Sequence, residues 1–248
     1  MATNISAFRT EVDYYVKKAS SDTTFLDDQI VKVIRDFCSK TWLWRQTLTA
    51  VNTVLSTSEY TPVIPTTDGE AELHMVDWVK WKENGADDDQ WKYLNPIVIE
   101  DEEQPGATYV GPNFINESGD SPDSFWVTPE DTIVINPTPN SSAVGTSNLQ
   151  FKVIVKPIID SATKVPDFFY DDWLEVICQG VAGRILNMAA KKWYNPTLSD
   201  RYWMQYTSAR DYEAKAQRWK GKNRAKSHVR VFPAFSGGSR SRGTTQFF

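Results

Sequence analysis

The apolar positions of this chain keep a helical rhythm at both ends and a strand-like rhythm between them. Near the start Phe8, Val12, Tyr15, Val16 and Ala19 recur mostly at steps of three and four, the stripe of an amphipathic helix. Asn4 is placed to cap that helix, and Ser20-Ser21-Asp22 to end it. Thr24 and Asp27 have the spacing of a capping box, after which Leu26, Ile30, Val33, Ile34 and Phe37 predict a second helix to about Thr41. Two short helices in succession make a hairpin.

From Trp44 to about Pro157, β-branched and aromatic residues come in short runs punctuated by Pro and Gly. The clearest strand is 149–155, where Leu149, Phe151, Val153 and Val155 alternate with Gln150 and Lys152. Further strands are predicted at 47–55, 73–81, 96–100, 124–128 and 132–136, with surface loops at 83–90, 101–123 and 137–148. Helical spacing returns after Pro166-Asp167, where Phe169, Trp173, Val176, Ile177, Gly180, Val181 and Ile185 form one stripe to about Ala190. Asp167, Asp171 and Asp172 lie near its start, where the helix dipole favours negative charge. Asn195-Pro196 then supplies a cap and a proline for the first helical position. Leu198, Tyr202, Tyr206, Ala209, Tyr212, Ala216 and Trp219 carry the next stripe, predicting about thirty residues or roughly 45 Å of helix. Residues 228–232 fit a last strand. Beyond Pro233 the composition is that of a Gly/Ser linker, yet it ends in Phe247-Phe248, which are either incidental or an anchor for a partner's groove.

These rhythms predict an α+β chain. The expected plan is a helical bundle formed by the N- and C-terminal segments (1–44 and 161–230), an inserted antiparallel β domain (45–160) and an extended C-terminal arm (231–248). Composition agrees with a folded protein, at 40% apolar and 24% charged residues. No run reaches the ~18 apolar residues of a membrane span, and Met1 to Ser6 lacks the basic-then-apolar order of a secretory leader. A protein made and kept in cytoplasm-like conditions, away from membranes, is expected. Cys38 and Cys178 sit inside helical apolar patterns and are expected as buried free thiols.

Charge changes the picture. The net value of −5 hides +11 over residues 179–248 and −16 over residues 1–178. Arg210, Lys215, Arg218, Lys220, Lys222, Arg224, Lys226 and Arg230 make the last helix basic, which suits either a polyanion or the acidic surface of another copy. Catalytic patterns are missing: His74 and His228 are the only histidines, and there is no phosphate-binding glycine loop, nucleophile elbow or Cys-x-x-Cys. Asp87-Asp88-Asp89 and Asp101-Glu102-Glu103 read as solvated loop charge. No enzyme activity, metal or cofactor is expected. Gly180 and Gly183 admit either ordinary packing or an unusually close helix approach, and ten Trp with ten Tyr favour a component of an assembly.

The order of elements, with Pro166-Asp167-Phe168-Phe169, Trp173-Leu174, Ala182-Gly183-Arg184-Ile185-Leu186 and Lys191-Lys192-Trp193-Tyr194-Asn195-Pro196 ahead of a helix rich in Ala, Lys and Arg, resembles the head-to-tail adaptor (tail tubular or neck) proteins of short-tailed bacteriophages. That resemblance implies a structural virion component made in the host cytoplasm. It implies a ring of twelve copies under the portal protein, joined below to the tail nozzle protein, with packaged DNA in the lumen. In this reading Arg240, Arg242, Phe247 and Phe248 belong to a portal-binding arm, and the basic helix faces a neighbouring subunit or DNA. The alternative is a nucleic-acid-binding protein that grips phosphates with the basic C-terminal helix.

Overall fold

The structure, a computed structural model, describes residues 2–17, 22–97, 118–189 and 191–214. Strand β1 (Ala2–Asn4) lies antiparallel to residues 164–166, and the Ile5 N–H donates to the Thr163 carbonyl at 2.9 Å. A 3₁₀ turn (Ile5–Phe8) then leads into helix α1 (Arg9–Val16), which buries Val12 and Val16. The expected Asn4 cap does not form, because Asn4 is committed to the strand opposite Lys164. Helix α2 (Thr23–Thr41) is capped by Asp22, whose carboxylate accepts the Thr24 and Phe25 N–H groups at 3.0 and 3.1 Å. Asp22 thus displaces the expected Thr24–Asp27 box, and Asp27 instead accepts from Arg9 Nε at 2.6 Å. Leu26, Ile30, Val33, Ile34 and Phe37 are all buried, as their spacing predicts.

The β region contributes β2 (Arg45–Thr47), β3 (Val51–Thr53), β4 (Glu59–Tyr60), β5 (Ala71–Trp81), β6 (Lys92–Tyr93) and β7 (Asn95–Pro96). After these come β8 (Ser118–Gly119), β9 (Ser124–Val127), β10 (Ile133–Asn136), β11 (Thr138–Pro139), β12 (Gly145–Pro157) and β13 (Lys164–Pro166). One sheet runs β2-β12-β5-β6 with β3 also on β12, and a second runs β4-β10-β9-β7. Pairing is antiparallel except at β7/β9 and β8/β11. Along the long β12/β5 ladder Leu149 faces Trp81, Phe151 faces Val79 and Val153 faces Val76, all on a largely buried side, while Gln150 and Lys152 point the other way. The single strand expected at 47–55 is split into β2, which pairs with Lys152–Ile154, and β3, which pairs with Leu149 and Gly145 across a register irregularity. Of the strand expected at 96–100, residues 98–100 lie outside the described residues.

The stripe after Pro166 makes two helices rather than one: α3 (Phe168–Asp171) and α4 (Leu174–Leu186), separated where Trp173 leaves helical geometry at φ −127°. The break lets the buried Trp173 ring reach Phe37, at 5.1 Å between centroids. Helix α5 (Pro196–Ser208) starts as its sequence predicts, with the Asn195 side chain accepting the Leu198 N–H at 3.1 Å and Pro196 in the first turn. It continues as a π-helical turn (Ala209–Ala214). The wider π turn moves the stripe out of phase: Tyr206, Ala209 and Ala214 are buried, whereas Tyr212 is 76% exposed. The remainder of the predicted long helix lies outside the described residues.

The mixed α+β class is therefore present, with five α-helices among the described residues. The helices from the two ends of the chain do meet, but they do not close a helical bundle with an inserted domain. One hydrophobic core runs from Phe8, Ile30 and Phe37 through Phe169 and Trp44 into Phe151, Val79 and Trp81. Helix α2 packs on β12 as well as on α4, so its buried face serves sheet and helices together. The described residues all belong to one compact unit.

Close approach is built into α4. A Cβ at Gly180 meets Tyr206 Cδ2 at 2.7 Å and Val33 Cγ1 at 2.8 Å, and one at Gly183 meets the Trp203 backbone N at 3.1 Å. Gly180→Ala is expected to lower stability by about 1–3 kcal/mol in urea unfolding through overpacking. A stabilised variant, the ordinary result for a helical glycine in open space, contradicts this packing.

Candidate functional site

In sequence the basic run 215–230 follows the π turn that extends α5, so the contacts that hold α5 and this turn are the described part of the candidate site. Ser199 Oγ donates to the Gly183 carbonyl at 2.6 Å in a buried contact, tying the first turn of α5 to α4. One turn before the π segment, the buried Tyr206 hydroxyl donates to Asp36 Oδ2 at 2.8 Å, with the Val33 carbonyl at 3.2 Å. Arg210 Nη1 donates to the same Asp36 oxygen at 2.6 Å, and its Nε and Nη2 donate to Asp211 at 3.1 and 3.0 Å. The guanidinium also lies 5.5 Å from the centre of the Tyr206 ring.

These contacts shift both groups. Burial, and then the adjacent Asp36 carboxylate, push the Tyr206 hydroxyl far above its ordinary range. Burial opposes the charge on Arg210, but the hydrogen bonds it donates to Asp211 and Asp36 outweigh it and hold the guanidinium above its usual value. Arg210 was expected to face a neighbour or DNA. Its side chain is only 12% exposed and is matched by two carboxylates of its own chain. Lys215, Arg218, Lys220, Lys222, Arg224, Lys226 and Arg230 lie outside the described residues, as do His228, the strand expected at 228–232 and Arg240, Arg242, Phe247 and Phe248 of the arm.

Beside this anchor, α4 and α5 leave an open groove of about 460 Å³ bounded by Glu175, Gln179, Met204, Ser208 and Glu213. Met204 is 64% exposed. The groove is acidic at its margins. On the neighbouring side of α4, burial and the charges of Glu175 and Glu11 push the Tyr15 hydroxyl up to about 12.

His74 Nε2 contacts the Ser39 carbonyl at 3.2 Å, and burial together with Lys156 lowers its pKa, favouring the neutral ring. Cys38 and Cys178 are buried free thiols, and burial pushes both well above the ordinary thiol range. Among the described residues no three His, Cys, Asp or Glu side chains gather as metal ligands. An apolar cleft of about 470 Å³ lies between β5 and β9, lined by Leu73, Val76, Ile97, Phe125 and Trp126 with His74 and Asp131.

One cluster escaped the sequence reading. Lys80 Nζ lies 4.5 Å from the centre of the Trp78 ring and 4.6 Å from that of Tyr93, and Lys82 Nζ lies 5.0 Å from Trp91. Its signal was the period-two run Trp78, Lys80, Lys82 followed by Trp91-Lys92-Tyr93, which matters only once β6 pairs with β5.

No protein-family model matches this chain, and no curated protein matches it significantly in sequence.

Asp36 is the acceptor common to Tyr206 and Arg210. Removing it in Asp36→Ala is expected to cost about 2–3 kcal/mol, the loss of charge-assisted bonds that leaves a largely buried guanidinium short of one partner. Tyr206→Phe, which removes only the hydroxyl, is expected to cost about 1 kcal/mol. Urea midpoints check both, and wild-type stability for Asp36→Ala contradicts the anchoring role.

Proposed function

We propose that this protein is a structural component of a bacteriophage virion: a head-to-tail adaptor whose ring of twelve copies joins the portal protein at the capsid vertex to the tail nozzle protein and forms part of the DNA channel. The observation that carries this reading is the order and joining of elements. Helices α1 and α2 from the start of the chain pack with α4 and α5 from its later part, and α5 leads into the basic segment and the arm, the same order that underlies the resemblance to adaptor proteins.

Charge layout supports it. The acidic margins of the α4/α5 groove, Glu175 and Glu213, and the basic residues 215–230 give one copy both signs, so a heterologous contact repeated around a closed ring pairs them. Arg210, the first of the basic residues, is paired with Asp36 and Asp211 of its own chain, which leaves it less to offer a polyanion. The nucleic-acid-binding alternative rests on the remaining seven, Lys215 to Arg230, and requires the isolated chain to bind duplex DNA against a net −16 over residues 1–178. The adaptor role requires no reaction and no cofactor, and it places the mature protein in the virion neck.

The arm supplies the test. Burying Phe247 and Phe248 contributes roughly 1.5–3 kcal/mol each, while ordering about a dozen residues costs of the order of 1–2 kcal/mol apiece. The aromatic anchors alone do not offset that cost, so Arg240, Arg242 and the backbone must also find partners on the portal. Deleting residues 236–248 is expected to leave the melting curve unchanged and to weaken attachment to the portal by about tenfold or more. Equal attachment of the truncated chain overturns the arm's role. Tight, steeply salt-dependent binding of the monomer to duplex DNA, without portal attachment, favours the alternative.

A further inference from the structure

The exposed side of the five-stranded sheet carries lysines and aromatic rings where the rest of residues 1–178 is acidic. Across the sheet the register sets Thr47 of β2 opposite Lys152 of β12, and Lys152 opposite Trp78 of β5. One pair further along, Gln150 faces Lys80, and Lys80 faces Tyr93 of β6. The side chains therefore form two adjacent rows on one face. Trp78 and Tyr93 meet edge to face at 5.8 Å, and the Lys80 ammonium lies over both rings. Among the described residues Lys80 and Lys152 have no salt bridge, whereas Lys82 is paired with Asp88 at 2.8 Å and Lys92 with Glu83 at 3.2 Å.

Three features define what fits this face. The cation–π contacts restrain the Lys80 ammonium, so less side-chain freedom is left to lose on binding. The same contacts cover ring faces on which nucleobases stack, which disfavours single-stranded nucleic acid. Glu83 and Asp88, paired with Lys92 and Lys82, border the strip, with Asp87 and Asp89 beside them in sequence, and repel a continuous run of phosphates, whereas a folded surface with separated carboxylates can match Lys80 and Lys152, which have no salt bridge among the described residues. The chain itself offers such a surface, with 29 Asp and Glu against 13 Lys and Arg in residues 1–178.

We propose that the Trp78–Lys80–Tyr93–Lys152 face is a self-association surface that receives a carboxylate-bearing surface of a second copy of this chain. The inference does not depend on the adaptor reading: loss of portal capture leaves it standing, and loss of self-contact leaves portal binding by the arm standing.

The test uses the full-length chain at low ionic strength. Sedimentation analysis is expected to show self-association that falls by about tenfold or more in the Lys80→Glu, Lys152→Glu double variant, since opposed like charges replace matched ones. The exposed Lys192→Glu control stays near wild type. Because the double variant bears on a sheet, zero-length carbodiimide coupling of an isotopically mixed wild-type sample provides a second readout, with links expected from Lys80 or Lys152 to an Asp or Glu of another copy. A chain that stays monomeric without such links overturns the proposal. Unaltered association of a folded double variant does so too, as does a single-stranded oligonucleotide whose binding, in place of self-association, is lost with these lysines.

Discussion

A Cβ on Gly180 lies 2.7 Å from the Tyr206 ring and 2.8 Å from Val33, so α4 meets α5 and α2 at a separation that only glycine permits. That closeness brings the Tyr206 hydroxyl to Asp36, a residue 170 positions earlier, and lets Arg210 complete the pair. Phe37, the next residue on α2, packs against Trp173, Phe169 and Tyr206, and through Trp44 the same cluster continues toward β12. A single tight helix contact thus joins the late helices to the early ones and both to the sheet. Interiors packed at crystal-like density transmit such constraints, which is why the end of α5 and the π turn after it are held by residues near the other end of the chain.

The distribution of charge has its own logic. Residues 179–248 carry +11 on a molecule whose remainder carries −16, an arrangement that favours contacts between unlike parts of successive copies over a symmetric pairing of like patches. Within the acidic part, Lys80 and Lys152, which have no salt bridge among the described residues, run against the local sign; Lys80 lies over the Trp78 and Tyr93 rings, and Lys152 stands opposite Trp78 in the ladder. In the later part, Arg210 is neutralised by carboxylates of its own chain. Formal charge along the sequence is therefore a poor guide to which cations face outward.

Elements governed by neighbours in sequence were legible. The α2 stripe, the Asn195-Pro196 start of α5 and the alternation of Leu149, Phe151, Val153 and Val155 follow from side-chain geometry over a few residues. What was not legible depends on distant partners. Asn4 loses its capping role to a strand pairing with Lys164, the helix after Pro166 breaks so that Trp173 can reach Phe37, and Tyr212 turns outward because a π turn shifts the stripe. The merging of helices and sheet into one core, in place of a bundle with an inserted domain, is of the same kind, since no local pattern tells α2 that one of its faces rests on β12. Of the candidate site, the start of α5 was visible through Asn195-Pro196, Gly180 and Gly183 left ordinary packing and close approach both open, and the Asp36–Arg210 pair and the Lys80 ring contacts span folds of the chain that sequence spacing does not reveal.

The central claim is that copies of this chain assemble as a ring on a twelve-fold portal. Native mass measurement, with negative-stain imaging, of the purified protein mixed with its portal tests it most directly. Twelve copies per portal ring, seen as an added closed layer around an open channel, is the predicted result; one or two copies per portal, or no added layer, contradicts it.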